Sequence, residues 1–74
     1  MATKVWLQAD CLLQENFTND FIRIPAGTCL FIAEDQRGLA PELLRVYGAG
    51  IYDQVPLAWL TYENPKETPK LIRA

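Results

Sequence analysis

The chain has no histidine, two cysteines, one methionine and only seven lysines and arginines in 74 residues. Each shortage removes a class of function. Without histidine the side chain that most often moves protons near neutral pH is missing, and acid-base work would fall to carboxylates or lysines shifted by a deep cleft. A chain this short buries only roughly 60% of its unfolded surface, and its core supplies about 3–5 kcal/mol, which leaves little room for such a cleft or for a cofactor domain. Cys11 and Cys29 stand eighteen positions apart with no second pair, so neither a zinc site nor a Cys-x-x-Cys redox motif assembles within the chain. Both lie in apolar strand patterns, where burial raises a thiol pKa and no local base makes the thiolate. They are expected to be small buried hydrophobes, because a disulfide needs adjacent strands and an oxidising compartment.

Long apolar runs are also absent. The longest is Cys29 to Ile32, extended by Ala33, whereas a bilayer span takes about 20 residues, so no membrane helix is expected. Met1 to Leu7 leads directly into alternating sequence, without the apolar region and small-residue cleavage site of an export signal, and the expected location is cytoplasmic. Asn16-Phe17-Thr18 matches a glycosylation acceptor but is chemically idle there. Gly48-Ala49-Gly50 has no adjacent lysine to make it a phosphate loop, and no carboxylates cluster with the spacing of a calcium site. Glu34 and Asp35 are adjacent on a polar turn, which is a solvated rim and not an acid and base. No catalysis, metal or cofactor is expected.

What is present is apolar surface: half the residues are hydrophobic and 11% aromatic, the opposite of a disordered chain. Residues 1–63 carry four basic and eight acidic side chains, a charge of −4. Residues 64–74 carry three basic and one acidic, and Pro65 and Pro69 in a polar stretch favour an extended tail. The expected organisation is a small β domain over 1–63 with a flexible tail over 64–74.

From Val5 to Glu15 the odd positions Val5, Leu7, Ala9, Cys11 and Leu13 are apolar or small, the even ones mostly polar, which predicts a half-buried strand. A polar loop over 15–20 follows, then Phe21 to Ile24 with Ile22 and Ile24 on one side. Pro25-Ala26-Gly27 suits a tight turn, and residues 28–33 form a strand apolar on both faces. Residues 34–38 read as a surface turn. In residues 39–50, Ala40, Leu43, Leu44 and Tyr47 fit helical spacing, while Leu44 to Tyr47 also alternates, so helix and strand both remain open. The closing strand is expected over Leu57 to Glu63, after a single turn at Val55-Pro56-Leu57.

Five short strands with turns every eight to twelve residues predict an all-β sandwich or barrel. Ile24-Pro25-Ala26-Gly27-Thr28 and Gln54-Val55-Pro56-Leu57-Ala58-Trp59-Leu60, in that order after a long polar loop, resemble an SH3-like small barrel. The resemblance implies a five-stranded barrel with one short helix or 3-10 turn. It does not extend to the run of adjacent loop tyrosines of proline-peptide binders, which the chain lacks.

Eight aromatic residues exceed what so small a core encloses, since each ring buries about 150–250 Å². Aromatics and arginine also dominate interface energetics. The candidate partner-binding residues are Trp6, Phe17, Arg37, Tyr52 and Trp59, which the SH3-like resemblance implies lie on a face between the first loop and the acidic turn. The expected function is a non-enzymatic protein-binding module, an accessory or inhibitory subunit of a larger protein, monomeric or weakly self-associating. An acidic body also suits approach to a basic, nucleic-acid-facing surface of an enzyme, as in small phage-encoded regulators of host enzymes. The alternative is a small-barrel nucleic-acid-binding protein that stacks bases on aromatics. Lys4, Arg23, Arg37 and Arg45 are scattered, however, and so few phosphate contacts release few counterions.

Overall fold

The computed structural model describes residues 2–65. Residues 66–74 of the expected tail lie outside them. The architecture is all-β: β1 (Lys4–Leu7), β2 (Cys11–Gln14), β3 (Phe21–Ile24), β4 (Cys29–Ile32), β5 (Leu43–Gly48), β6 (Ile51–Pro56), a 3-10 turn at Leu57–Trp59, and β7 (Leu60–Thr61). Five strands form an antiparallel sheet in the order β6-β5-β4-β1-β7, and β2 and β3 form a separate hairpin.

No closed barrel ladder is present among the described residues. The hairpin meets the β6 edge of the sheet through one isolated bridge between Glu15 and Ile51, so the hydrogen-bond ladder does not run continuously around the molecule. The Asn16 N–H donates to the Gly50 carbonyl beside that bridge, at 2.9 Å. The Asp53 carboxylate accepts from the Gln14 N–H at 3.0 Å. A side chain therefore does part of the joining that a backbone ladder performs in a closed barrel.

The single strand expected over 5–15 is two strands. After Leu7 the chain leaves the sheet, and the Gln8 side-chain amide donates to the Leu60 and Ala58 carbonyls at 2.6 and 3.3 Å. The Asp10 carboxylate then accepts from the Ala26 N–H at 2.8 Å and pairs with Arg23, which anchors the start of β2 against the turn after β3. Alternation survives the break, because Val5, Leu7 and Leu13 all point inward. In the disputed stretch 39–50 the strand prevails: β5 pairs with β4 on one side and β6 on the other, and ladder bonds on both edges outweigh the helical spacing.

β6 was not expected as a separate strand, and its cause is the turn before it. Gly48 pairs with Ile51, so the hairpin loop is the two residues Ala49-Gly50, with φ of 52° and 83°. Two positive φ values in succession are what a type I′ turn demands, and that turn matches the strand twist. Gly48 is itself at φ 124°, and a Cβ there would stand 3.4 Å from the Phe31 ring. Pro56 ends β6 where its missing N–H is harmless. The expected last strand shrinks to Leu60–Thr61, because Leu57–Trp59 winds into the 3-10 turn.

The core is Val5, Leu7, Leu13, Ile24, Leu30, Val46, Ile51, Val55 and Leu60, with Cys11, Ile22, Ile32 and Leu44 packed against it. Leu30 sits on the central strand β4 and is fully enclosed. No polar or charged residue is buried among those described.

Candidate functional site

The side chains that alternate with the core ones form the outer sheet face. The registers Lys4 with Phe31, Phe31 with Tyr47, and Tyr47 with Tyr52 run one row of side chains across β1, β4, β5 and β6. The Phe31 and Tyr47 rings lie 5.6 Å apart at 31°. In the next row Trp6 stands between Thr61 and Cys29. Two grooves open at opposite ends of β1 from this sheet, and they share no lining residue.

The larger groove, about 750 Å³, is bordered by Thr3, Asn16, Glu34, Asp35, Tyr47 and Tyr52. Two carboxylates and two phenol rings give it an acidic, aromatic character. The carboxylates differ. Asp35 holds the Arg37 guanidinium at 2.9 and 3.0 Å and accepts the Arg37 N–H at 3.0 Å. Those contacts, with Arg45 nearby, lower its pKa to about 2. Arg45 is turned onto the same loop, donating to the Asp35 carbonyl at 2.6 Å, while its backbone is held by Gln36. Glu34 makes no side-chain hydrogen bond or ion pair among the described residues, so its charge faces solvent.

The smaller groove, about 460 Å³, lies between the start of the hairpin and the 3-10 turn and is lined by Gln8, Asp10, Cys11, Leu12, Ala58 and Trp59. Its surroundings are apolar and open. Leu12 is 66% exposed and Phe21 62%. Their registers put them on one face of the hairpin, diagonal to each other. Leu57 and Trp59 of the 3-10 turn are also exposed.

Neither thiol has a base beside it. Cys11 Sγ donates to the Ala9 carbonyl at 3.2 Å, and burial, with the negative Asp10 adjacent, raises its pKa. Cys29 Sγ donates to the Leu30 carbonyl. Both are free and half-buried, not enclosed as expected. Among the described residues no group of three or more Cys, Asp and Glu has the arrangement of a metal site, and no helix is long and apolar enough to cross a membrane.

The five residues singled out from the sequence occupy several places. Tyr52 lines the larger groove. Phe17, 92% exposed at the hairpin tip, follows Asn16 on its border, and Arg37 is held by Asp35 on its other side. Trp59 lines the smaller groove, and Trp6 is half-buried on the sheet face between them. Sequence reading missed Leu12, Phe21, Leu57 and Tyr47. Leu12 carried a signal: it is the one aliphatic residue among Trp6, Gln8, Asp10 and Gln14 on the polar side of the first alternating segment. Leu57 carried none, since only the 3-10 turn brings it outward. Comparison with models of protein families, with curated proteins and with solved structures finds no match to this chain.

Proposed function

We propose that this protein is a non-enzymatic protein-binding module, an accessory or inhibitory subunit that works by covering or bridging a surface of a larger cytoplasmic protein. One observation carries the reading: Leu12 and Trp59 line a single small groove while exposed, and the hairpin and the 3-10 turn that flank it also expose Phe21 and Leu57, in a domain that has few apolar residues to spare. Exposed apolar patches with a central tryptophan are what interaction surfaces present, and a domain with a core this small gains nothing by leaving them in water. The strand order β6-β5-β4-β1-β7, with a hairpin after β1 and a 3-10 turn before the last strand, supports placing the domain among SH3-like small barrels. The acidic body favours a basic partner surface, including one that otherwise faces nucleic acid, as a phage-type regulator of a host enzyme would.

The test is capture from lysate on the immobilised full chain, with and without nuclease, in parallel with the Leu12→Ser and Trp59→Ala variants. One protein retained in fixed stoichiometry after nuclease treatment, and lost with both variants while their circular dichroism is unchanged, supports the module and its surface. Retention that disappears on nuclease treatment makes nucleic acid the ligand and overturns it. A partner retained equally by both variants overturns the surface.

A further inference from the structure

We propose that the larger groove is a second recognition site, which takes a lysine or arginine side chain from a basic segment of a partner protein. The argument is independent of the apolar patch. Among the described residues, the lining of this groove includes two carboxylates and no cation. Its aromatic wall is a cross-strand pair, Tyr47 with Tyr52, on the outer face of an edge hairpin. The Tyr47 ring packs on its other side against Phe31. No ring contact links Tyr47 to Tyr52, so the faces are not consumed by each other. A cation is drawn to aromatic faces by their quadrupole, and its aliphatic stem is at home against the rings and the half-buried Ile32.

Charge decides the sign of the occupant. Among the described residues, Asp35 is already committed to Arg37, Arg45 is bonded to the acidic loop, and Lys4 stands at the far end of the row beyond Phe31. Glu34 is the anion left without a partner among the described residues, and it borders the groove. The groove therefore offers one free negative charge and two phenol rings to a ligand, inside a body whose first 63 residues carry −4. An anionic or purely aliphatic ligand would leave that charge uncompensated.

The experiment is an amide-shift titration of the full chain with the capped peptide Gly-Lys-Gly, its arginine counterpart, and a norleucine control. Saturable shifts confined to residues 33–35 and 47–52 are expected with the first two and none with norleucine. Tyr52→Ala should weaken lysine-peptide binding about three- to tenfold, and Tyr52→Phe, which keeps the ring, should leave it unchanged. Glu34→Gln should weaken it about twofold to fivefold and remove most of its salt dependence. Equal shifts with norleucine, or shifts spread over the acidic surface without saturation, overturn the proposal. Replacing Lys66, Lys70 and Arg73 together by Gln tests the other occupant: shifts at Tyr47 and Tyr52 without any peptide would assign the groove to the chain's own basic residues and overturn the partner reading. Leu12→Ser is expected to bind the peptides normally, which separates failure at this groove from failure of the apolar surface.

Discussion

The five-stranded sheet and the two-stranded hairpin are built from similar sequence but held by different means. In the sheet, β4 pairs on both edges, and Val5, Leu7, Leu30, Val46 and Val55 are wholly enclosed. In the hairpin only Leu13 and Ile24 are buried, four pairs make its ladder, and its outer face is in water. Two isolated strands are marginal in water by themselves. The hairpin is ordered by side chains at its two ends: Asp10 at the base, holding Ala26 and Arg23, and Asp53 at the tip, holding the Gln14 N–H. The sheet is thus fixed mainly by burial, whereas the hairpin, which gives Leu13 and Ile24 to the same core, is also tied at its ends by two carboxylates. The smaller groove, and the exposed apolar residues around it, lie where the second kind of structure meets the first.

The largest effect is expected in the sheet. Leu30→Ala removes a fully buried side chain from the central strand, a change that costs about 2–5 kcal/mol, comparable with the whole stability of a domain this size. Urea titration by circular dichroism should show a chain that is largely unfolded without denaturant; a midpoint within experimental error of wild type would mean that the sheet does not depend on burial. Asp53→Ala comes next. It orphans a part-buried N–H, which costs about 1–2 kcal/mol, and hydrogen exchange should accelerate in β2 and β3 more than in β4. Uniform acceleration would abolish the distinction between the two regions, whereas Asp53→Asn, which keeps a carbonyl acceptor, should restore much of the protection.

A smaller gain is expected at the β5–β6 turn. Ala49 holds a left-handed φ that disfavours any Cβ, so Ala49→Asn should raise stability by about 0.5–1 kcal/mol, read as a higher melting temperature. No rise would show that the turn is relaxed by other means. The smallest effect is on pH. The Ala26 N–H and then Arg23 lower the Asp10 pKa, and Arg37 lowers that of Asp35 to about 2. Both folded values lie below the unfolded value, near 3.9, so their contributions are complete above it and are lost as pH falls through the folded values. Carboxyl shifts followed by NMR should place both titrations below pH 3.9. The amides of 23–26 should move with Asp10 and those of 35–37 with Asp35, and an ordinary titration of Asp10 would remove one of the two props assigned to the hairpin.

Much of the candidate site was legible as residue types and little of it as places. Tyr52 and Trp59 stood out as aromatics, but the sequence offered no reason to put them in different grooves. That separation follows from the type I′ turn at Ala49-Gly50, which folds β6 back along β5 and carries Tyr52 to face Tyr47. An Ala-Gly pair is a weak turn signal beside Asn-Gly, and so the sequence does not announce β6 as a strand. Arg37 stands out in the sequence as a candidate interface residue, yet it closes on Asp35 two residues away, a local pairing that spacing alone does not foretell.

By itself the sequence determined that most of the chain is strand and turn, that Val5, Leu7, Leu13, Ile22 and Ile24 face inward, and that residues 34–38 form an exposed acidic turn. Alternation with a period of two and the chemistry of turn residues are local properties, and they survive whatever the rest of the chain does. Tertiary structure alone decided that β1 and β2 part at residues 8–10, that residues 43–48 are strand, and that the ladder stops at one bridge instead of closing a barrel. Each of these depends on partners far away in sequence: the Ala58 and Leu60 carbonyls for Gln8, both neighbours of β5, and Asp53 for Gln14. A strand's inward face is written in its own residues, whereas where it ends and what it pairs with are set by the backbone groups that reach it from elsewhere.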